Sequence, residues 1–120
     1  MPKKLTRAAI LKSCSLREEV LNIPEWGGNV TVQELTGAER DAWEASILND
    51  DGQRDDDSMT NARAKLCVRC LVDDEGALLF SQDDVNQVGA LSGTALNRVF
   101  EVACRLSGLT SADMDELAGN

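Results

Sequence analysis

The segment from Thr94 to Ser107 has the most regular amphipathic pattern of the chain, and it limits what the chain can fold into. Its apolar residues recur at the spacing of one helical face: Leu96, Val99, Phe100, Ala103 and Leu106. Gly108 is well placed to end this helix, with Leu109 folding back onto it. Because such a helix is stabilised mainly by burial of its apolar face, other parts of the chain must pack against it.

The segment "EEVLNIPEWGGNVTVQEL" has the pattern of a β-hairpin. Apolar and polar residues alternate on both predicted strands, with Leu21 and Ile23 on the first and Val30 and Val32 on the second. One Pro and two Gly mark the connection between them. Two strands alone are marginally stable in water, so the hairpin also needs a packing partner.

Further helices are predicted by their start signals. Thr36 and Glu39 have capping-box spacing, in which the hydroxyl and the carboxylate each satisfy a backbone N–H. A second helix is predicted over Thr60–Leu71, a third from Ser81 and a last short one from Thr110. The predicted fold class is α+β, mostly α-helical, with an N-terminal β-hairpin followed by four to five short helices.

The chain has the length of one domain, since 120 residues can bury a conventional core. Apolar residues make up 42% of it, too many for wholesale disorder. We predict an N-terminal arm at residues 1–17, whose basic residues are solvated, and a single domain at residues 18–120. Within that domain, "NDDGQRDDDS" at residues 49–58 is predicted to be an exposed acidic loop.

The net charge of −9 argues against nucleic acid as a partner, because phosphate binding needs clustered Lys and Arg. An acidic surface also repels anionic lipid. No apolar run approaches the ~20 residues of a membrane span. We therefore expect a cytoplasmic protein without nucleic-acid or membrane partners, whose cysteines stay reduced.

Catalysis is not expected. The chain contains no histidine, which removes the commonest general base. It also lacks a Gly-x-Ser-x-Gly sequence and a phosphate-cradling glycine loop. The sequence accordingly predicts neither an enzyme nor a cofactor.

The pair Cys67 and Cys70 leaves three interpretations open. A structural zinc site would need all four cysteines, including Cys14 and Cys104, because histidine is absent. A redox pair would sit poorly in the last turn of a helix, where the dipole disfavours a thiolate. Reduced cysteines that pack as small apolar side chains are the favoured interpretation. A small thiol- or zinc-dependent regulatory protein is the alternative function.

Three residues are candidates for contact with a partner: Trp26, Trp43 and Leu79. Aromatic residues make up only 3% of the chain, and Trp26 is predicted at the tip of the hairpin, beside two glycines. Exposed tryptophans are good binding anchors. Both could instead pack into the core, and burial is the favoured interpretation for Trp43.

Two longer stretches are similar to a known family. "IPEWGGNVTVQELTGAERDAWEASI" and "NARAKLCVRCLVDDEGALLFSQDDV" resemble the tail assembly chaperones of long-tailed, siphovirus-type bacteriophages and prophages. The shared order is a Trp-Gly hairpin, "LTGAERDAWE", "LVDDEG" with "LFSQDDV", and a helix that ends near "RLSGLT". The cysteines and the acidic loop are not part of this pattern.

The resemblance implies a non-enzymatic protein of the host cytoplasm that has no cofactor. Such chaperones bind the long, aggregation-prone tape measure protein, bring tail tube subunits to it and are absent from the finished particle. In many of these phages a ribosomal slip also makes a longer form that contacts the tube protein, and this chain would be the short form. Coating many sites along one client suits weak, repeated contacts or self-association.

Overall fold

A three-stranded antiparallel sheet forms one side of the molecule, and helices cover the other. This computed structural model describes residues 3–13 and 15–109. The strands follow the order β1-β2-β3 in the sheet: β1 Glu18–Ile23, β2 Gly28–Gln33 and β3 Leu71–Val72. The helices are α1 Arg7–Lys12, α2 Gly37–Ser46, α3 Asp56–Met59, α4 Ala62–Cys70, α5 Val85–Gly89 and α6 Gly93–Leu106. The predicted fold class is confirmed.

The hairpin forms as the alternation predicts. Leu21 pairs with Val30, and Ile23 pairs with Gly28 at the end of the ladder. A short 3-10 turn, Pro24–Trp26, connects the strands, and Gly27 closes it with φ +76°. Only glycine adopts this left-handed conformation without steric cost.

Strand β3 was not predicted. The helical spacing of apolar residues continues through Leu71, yet α4 ends at Cys70, and Leu71–Val72 pairs with Thr31 and Val32 of β2. Periodicity cannot separate these states, because two apolar residues directly after a helix fit either one. The third strand gives the hairpin one of the partners that it needs.

Helix α6 has the predicted face and the predicted end. Eight of its residues are buried, and the helix packs against α4 and the hairpin. Gly108 has φ +72°, and its N–H donates to the carbonyl oxygen of Arg105. The N–H of Leu109 donates to the carbonyl oxygen of Cys104 at 3.0 Å, and Leu109 is itself buried. This pair of bonds is a Schellman motif.

The capping box predicted for α2 forms only in part. The hydroxyl of Thr36 accepts from the backbone N–H of Glu39 at 3.1 Å, as expected. The Glu39 carboxylate does not return to the backbone of Thr36; instead it accepts a hydrogen bond of 2.6 Å from Arg69 on α4. A tertiary ion pair has replaced the local bond, which the sequence spacing alone could not show.

The acidic loop at 49–58 is largely exposed, and it has local structure of its own. The side-chain oxygen of Asn49 accepts from the backbone N–H groups of Asp51 and Gln53. Asp55 and Ser58 form a capping box that starts α3, a helix that was not predicted. Asp, Asn and Ser favour such turns and caps because their short side chains bond nearby backbone groups.

The N-terminal arm contains α1, which is capped by Thr6 and has no buried residue. The last predicted helix, from Thr110 with Met114 and Leu117, lies outside the described residues, as does Cys14. Within the described ranges, none of the helices has both the length and the apolar character to span a membrane.

Candidate interaction surface

An apolar groove lies between the hairpin turn and the segment that follows β3. It has a volume of about 270 Å³, and six apolar residues line it: Trp26, Val30, Leu71, Leu79, Phe80 and Leu91. They come from the connection before β2, from β2 and β3, and from the chain on either side of α5. Two of the three predicted contact residues, Trp26 and Leu79, therefore share one site.

The chain after β3 places Leu79 in this groove. The backbone N–H of Leu79 donates to the carbonyl oxygen of Leu71 at 3.0 Å, and Leu78 forms an antiparallel bridge with Val72. Leu79 lines the groove, whereas the neighbouring Leu78, which is exposed to a similar degree, does not.

Trp26 is held at the other wall by the 3-10 turn of the hairpin. The adjacent Glu25 accepts hydrogen bonds from Arg98 of α6, one of them 2.9 Å long, and these fix the turn against that helix. The indole ring is partly buried against the core. Its Nε1 is buried and has no hydrogen-bond acceptor within the part of the chain that the structure describes. A buried donor without a partner costs about 1–3 kcal/mol.

The groove leaves large aliphatic surface in water. Leu79 is 49% exposed and Leu91 is 41% exposed. Single exposed aliphatic residues are common, but a concave cluster of them marks an interaction site. One tryptophan ring and one phenylalanine ring in its wall, those of Trp26 and Phe80, add large contact area at low conformational cost.

Trp43, the third predicted contact residue, is in the core. It is only 2% exposed, and its Nε1 donates a hydrogen bond of 3.4 Å to the carbonyl oxygen of Ala62. This hydrogen bond and the contact of α2 with α4 account for the ring without a partner protein. The structure favours the packing interpretation for Trp43 and separates it from Trp26 and Leu79.

The three described cysteines are all fully buried. Burial, reinforced by the neighbouring Cys104, raises the pKa of the Cys67 thiol to about 12. Burial also raises the pKa of Cys70, more than Arg69 lowers it. Because reactive and metal-binding cysteines need an accessible thiolate, this environment favours packing. Nowhere in residues 3–13 and 15–109 do three metal-ligating side chains come together in a suitable arrangement.

A larger cavity, about 440 Å³, opens between α4 and the start of α6. Its lining includes the polar side chains of Asn61, Arg63 and Asn97, and Asn61 already donates to Asn86 at 3.0 Å. Burying polar groups adds a desolvation cost that an apolar wall does not have. The apolar groove is therefore the stronger candidate for contact with a protein partner.

Four residues of the groove were missed by the sequence reasoning: Val30, Leu71, Phe80 and Leu91. Val30 and Leu71 were assigned to a strand and a helix face, where burial explained them. Phe80 lies in the short apolar run "ALLF", and Leu91 lies at the end of the helix predicted from Ser81. Phe80 and Leu91 could have been identified as contact candidates because each is apolar and belongs to no predicted apolar face of a helix or strand.

Comparison with known proteins agrees with this architecture. The family model described as phage tail assembly chaperone matches residues 4–120. The solved structure of the bacteriophage HK97 tail assembly chaperone superposes with a TM-score of 0.60 at 20% sequence identity, covering 84% of this chain and 98% of that one. At that identity the superposition shows a shared fold. Among curated protein sequences, no significant match was found. Since the family model spans nearly the whole chain, this protein belongs to the phage tail assembly chaperone family.

Proposed function

We propose that the chain binds the tape measure protein of its phage during tail assembly and keeps that client soluble. Membership of the chaperone family supports a role of this class. The observation that carries the proposal is the groove, which six apolar side chains line and in which two half-exposed leucines, Leu79 and Leu91, face solvent together. An aggregation-prone helical client offers apolar faces of the kind that such a groove can cover.

The role is non-enzymatic and takes place in the host cytoplasm. Contact at the groove requires no cofactor, since apolar burial of about 25 cal/mol per Å² supplies the free energy. One small groove gives weak affinity, so a long client would be coated by many copies, with self-association adding to the effect. Residues 18–120 act as the single client-binding domain in this proposal.

Recruitment of tail tube subunits completes the proposed function. A longer form made by a ribosomal slip would supply the contact with the tube protein, and neither form would remain in the finished particle. The existence of the longer form can be tested by inspecting the nucleotide sequence of the gene. A slippery heptanucleotide near the codons for "DELAGN", followed by an overlapping frame, supports the longer form.

The client is tested by co-expression with the adjacent tape measure gene. We expect the tape measure protein to be soluble and to copurify with this chain, and to aggregate when expressed alone. Equal solubility of the tape measure protein without the chaperone would contradict the proposal.

The groove is tested by a matched pair of variants. Leu79→Ser shortens a lining residue, whereas Leu78→Ser shortens its neighbour of nearly equal exposure, 47% against 49%, outside the groove. Losing one central apolar contact costs on the order of 1–2 kcal/mol, so Leu79→Ser should weaken client binding about tenfold. Leu78→Ser should leave it within about twofold of the unaltered chain. If both variants bind the client equally well, the site lies elsewhere.

A further inference from the structure

Four of the six lining residues come from a stretch of the chain that carries only negative charge, and this charge favours some partner segments over others. Leu71, Leu79, Phe80 and Leu91 all lie in residues 71–97, a stretch without a single Lys or Arg. The same stretch contains five carboxylates: Asp73, Asp74, Glu75, Asp83 and Asp84. The apolar lining is thus supplied largely by strongly acidic segments.

Three of these carboxylates lie in two exposed turns that adjoin lining residues along the chain, and these two turns are called the rim of the groove. Asp74 and Glu75 lie in the exposed turn that joins Leu71 to Leu79, a turn closed by a hydrogen bond of 2.8 Å from the Asp73 N–H to the Ala77 carbonyl oxygen. Asp83 lies in the exposed 3-10 turn that begins just after Phe80.

In the described residues no Lys or Arg forms an ion pair with Asp74, Glu75 or Asp83. The rim therefore presents a negative potential next to an uncharged, apolar floor.

We propose that the groove selects basic amphipathic helices: client segments that insert one or two large aliphatic side chains and carry Lys or Arg on their flanks. The inference rests on the proposed function and specifies the chemistry of the partner at the same site. Apolar contacts supply most of the affinity in this arrangement, while the carboxylate rim steers cationic segments in and repels acidic ones. The rim is exposed, so its contribution falls as salt rises.

The chain contains one segment of the same chemistry, which makes a second copy the competing occupant. Residues 3–12, "KKLTRAAILK", have four basic and no acidic residues, and α1 in this segment buries nothing. Its Leu5, Ile10 and Leu11 are 64%, 54% and 61% exposed. The experiment must therefore separate a client-like peptide from the arm of another copy.

The test uses two fluorescein-labelled peptides of about 18 residues, long enough to form an isolated helix. Both have the same Leu and Ile stripe, and they differ only in Lys or Glu on the flanks. Fluorescence anisotropy with the full chain should show the Lys peptide binding about tenfold more tightly at low salt, with most of that ratio lost at about 0.5 M salt.

Two triple variants with equal changes in charge test whether the preference for the Lys peptide comes from the rim. Asp74→Asn, Glu75→Gln and Asp83→Asn together remove three rim charges, and we expect the preference for the Lys peptide to fall to about twofold. Asp50→Asn, Asp51→Asn and Asp57→Asn remove three charges from the other acidic loop and should preserve it. Equal affinity for both peptides, or an equal effect of both triple variants, would overturn the inference.

Binding of the client and binding of a second copy of the chain are measured in separate assays. If the tape measure protein copurifies and depends on Leu79 while peptide charge has no effect, the charge inference fails and the proposed function stands. If the client does not bind at all, the proposed function fails by its own assay. If the full chain self-associates through the basic residues of 3–12 and excludes both peptides, the groove belongs to a second copy and the client assignment is overturned. Sedimentation velocity of a variant with these four residues replaced by Gln decides this last case.

Discussion

Glu39 on α2 and Arg69 on α4 form an ion pair in which Nη1 of the arginine donates a hydrogen bond of 2.6 Å to Oε2 of the glutamate. The Arg69 side chain is only 11% exposed, so its charge is largely removed from water. The pair ties the two helices that enclose Trp43, because Trp43 lies on α2 and donates to Ala62 at the start of α4. The ion pair holds α2 against α4. The Glu39 carboxylate does not cap the start of α2, which is the role that the sequence predicted for it.

Replacing Glu39 by Gln is expected to lower the free energy of unfolding by about 1–3 kcal/mol, because the Arg69 charge would lose its partner in a poorly hydrated site. Urea denaturation followed by circular dichroism measures the change. The matched control is Glu44→Gln, which breaks an exposed i,i+4 pair with Arg40 and should cost at most about 0.5 kcal/mol. Equal losses of unfolding free energy in the two variants would show that the partly buried ion pair stabilises the protein no more than the exposed one does.

The buried thiols are expected to resist modification in the native protein. A Cys14→Ser variant restricts the measurement to Cys67, Cys70 and Cys104, which are fully buried. Burial raises the pKa of the first two, so the reactive thiolate is scarce as well as inaccessible. A colorimetric disulfide reagent at about pH 8 should label them only after denaturant is added. Rapid labelling of two thiols in the folded protein would revive the redox alternative.

Replacing Gly89 by alanine, the smallest possible addition, is expected to destabilise the protein. A Cβ at this position would lie 2.3 Å from Oδ1 of Asn61 and 2.8 Å from its Cγ, and Asn61 is also hydrogen-bonded to Asn86. The clash must displace that side chain, so Gly89→Ala should lower the free energy of unfolding by about 1–2 kcal/mol despite the better helix propensity of alanine.

Two variants control this prediction about Gly89. Gly93→Ala, at a position with open space around it, should be neutral or stabilising by up to about 1 kcal/mol. Adding Asn61→Gly removes the clashing side chain and suits the left-handed backbone at that residue, φ 58°, so it should recover much of the loss. If the double variant is as unstable as the sum of the single ones, the clash is not the cause.

Features encoded by local pattern could be predicted from the sequence, and features that depend on distant partners could not. The face and the Schellman end of α6 and the alternation of the hairpin are local, and all are confirmed. The helical stripe that continues through Leu71 could not reveal that this residue would pair with β2. Glu39 has the spacing of a cap, but Arg69 is thirty residues away and competes for it with a stronger, charge-assisted bond.

The candidate contact residues also show this difference between local pattern and tertiary packing. Trp26 was a candidate because it was predicted at the hairpin tip, and the fold brings it to one site with Leu79. Trp43 is as large and as rare a residue, but its helix turns it inwards. Which tryptophan faces the core depends on how α2 packs on α4, and that orientation is a tertiary property.

The ion pair between Glu25 and Arg98 is expected to give the hairpin turn a pH-dependent stability. Hydrogen bonding from the Arg98 guanidinium lowers the pKa of Glu25 below its ordinary value of 4.5. A carboxylate with a depressed folded-state pKa adds stability that is present above the unfolded value, and this stability is lost as the pH falls through the folded value. Unaltered protein should therefore be more stable than Glu25→Gln at neutral pH, and the difference should shrink below about pH 4.5.

Thermal unfolding of both proteins at about pH 7 and about pH 3 measures this difference. Glu101→Gln is the control, since that carboxylate accepts from the neutral side chain of Asn97 and, within the described residues, not from a charged partner. Amide hydrogen exchange of Glu25, Trp26 and Gly27 should rise in Glu25→Gln, because this pair anchors the turn that holds Trp26 in the groove wall. A stability difference that stays constant across the acid range would contradict the assigned role of the pair.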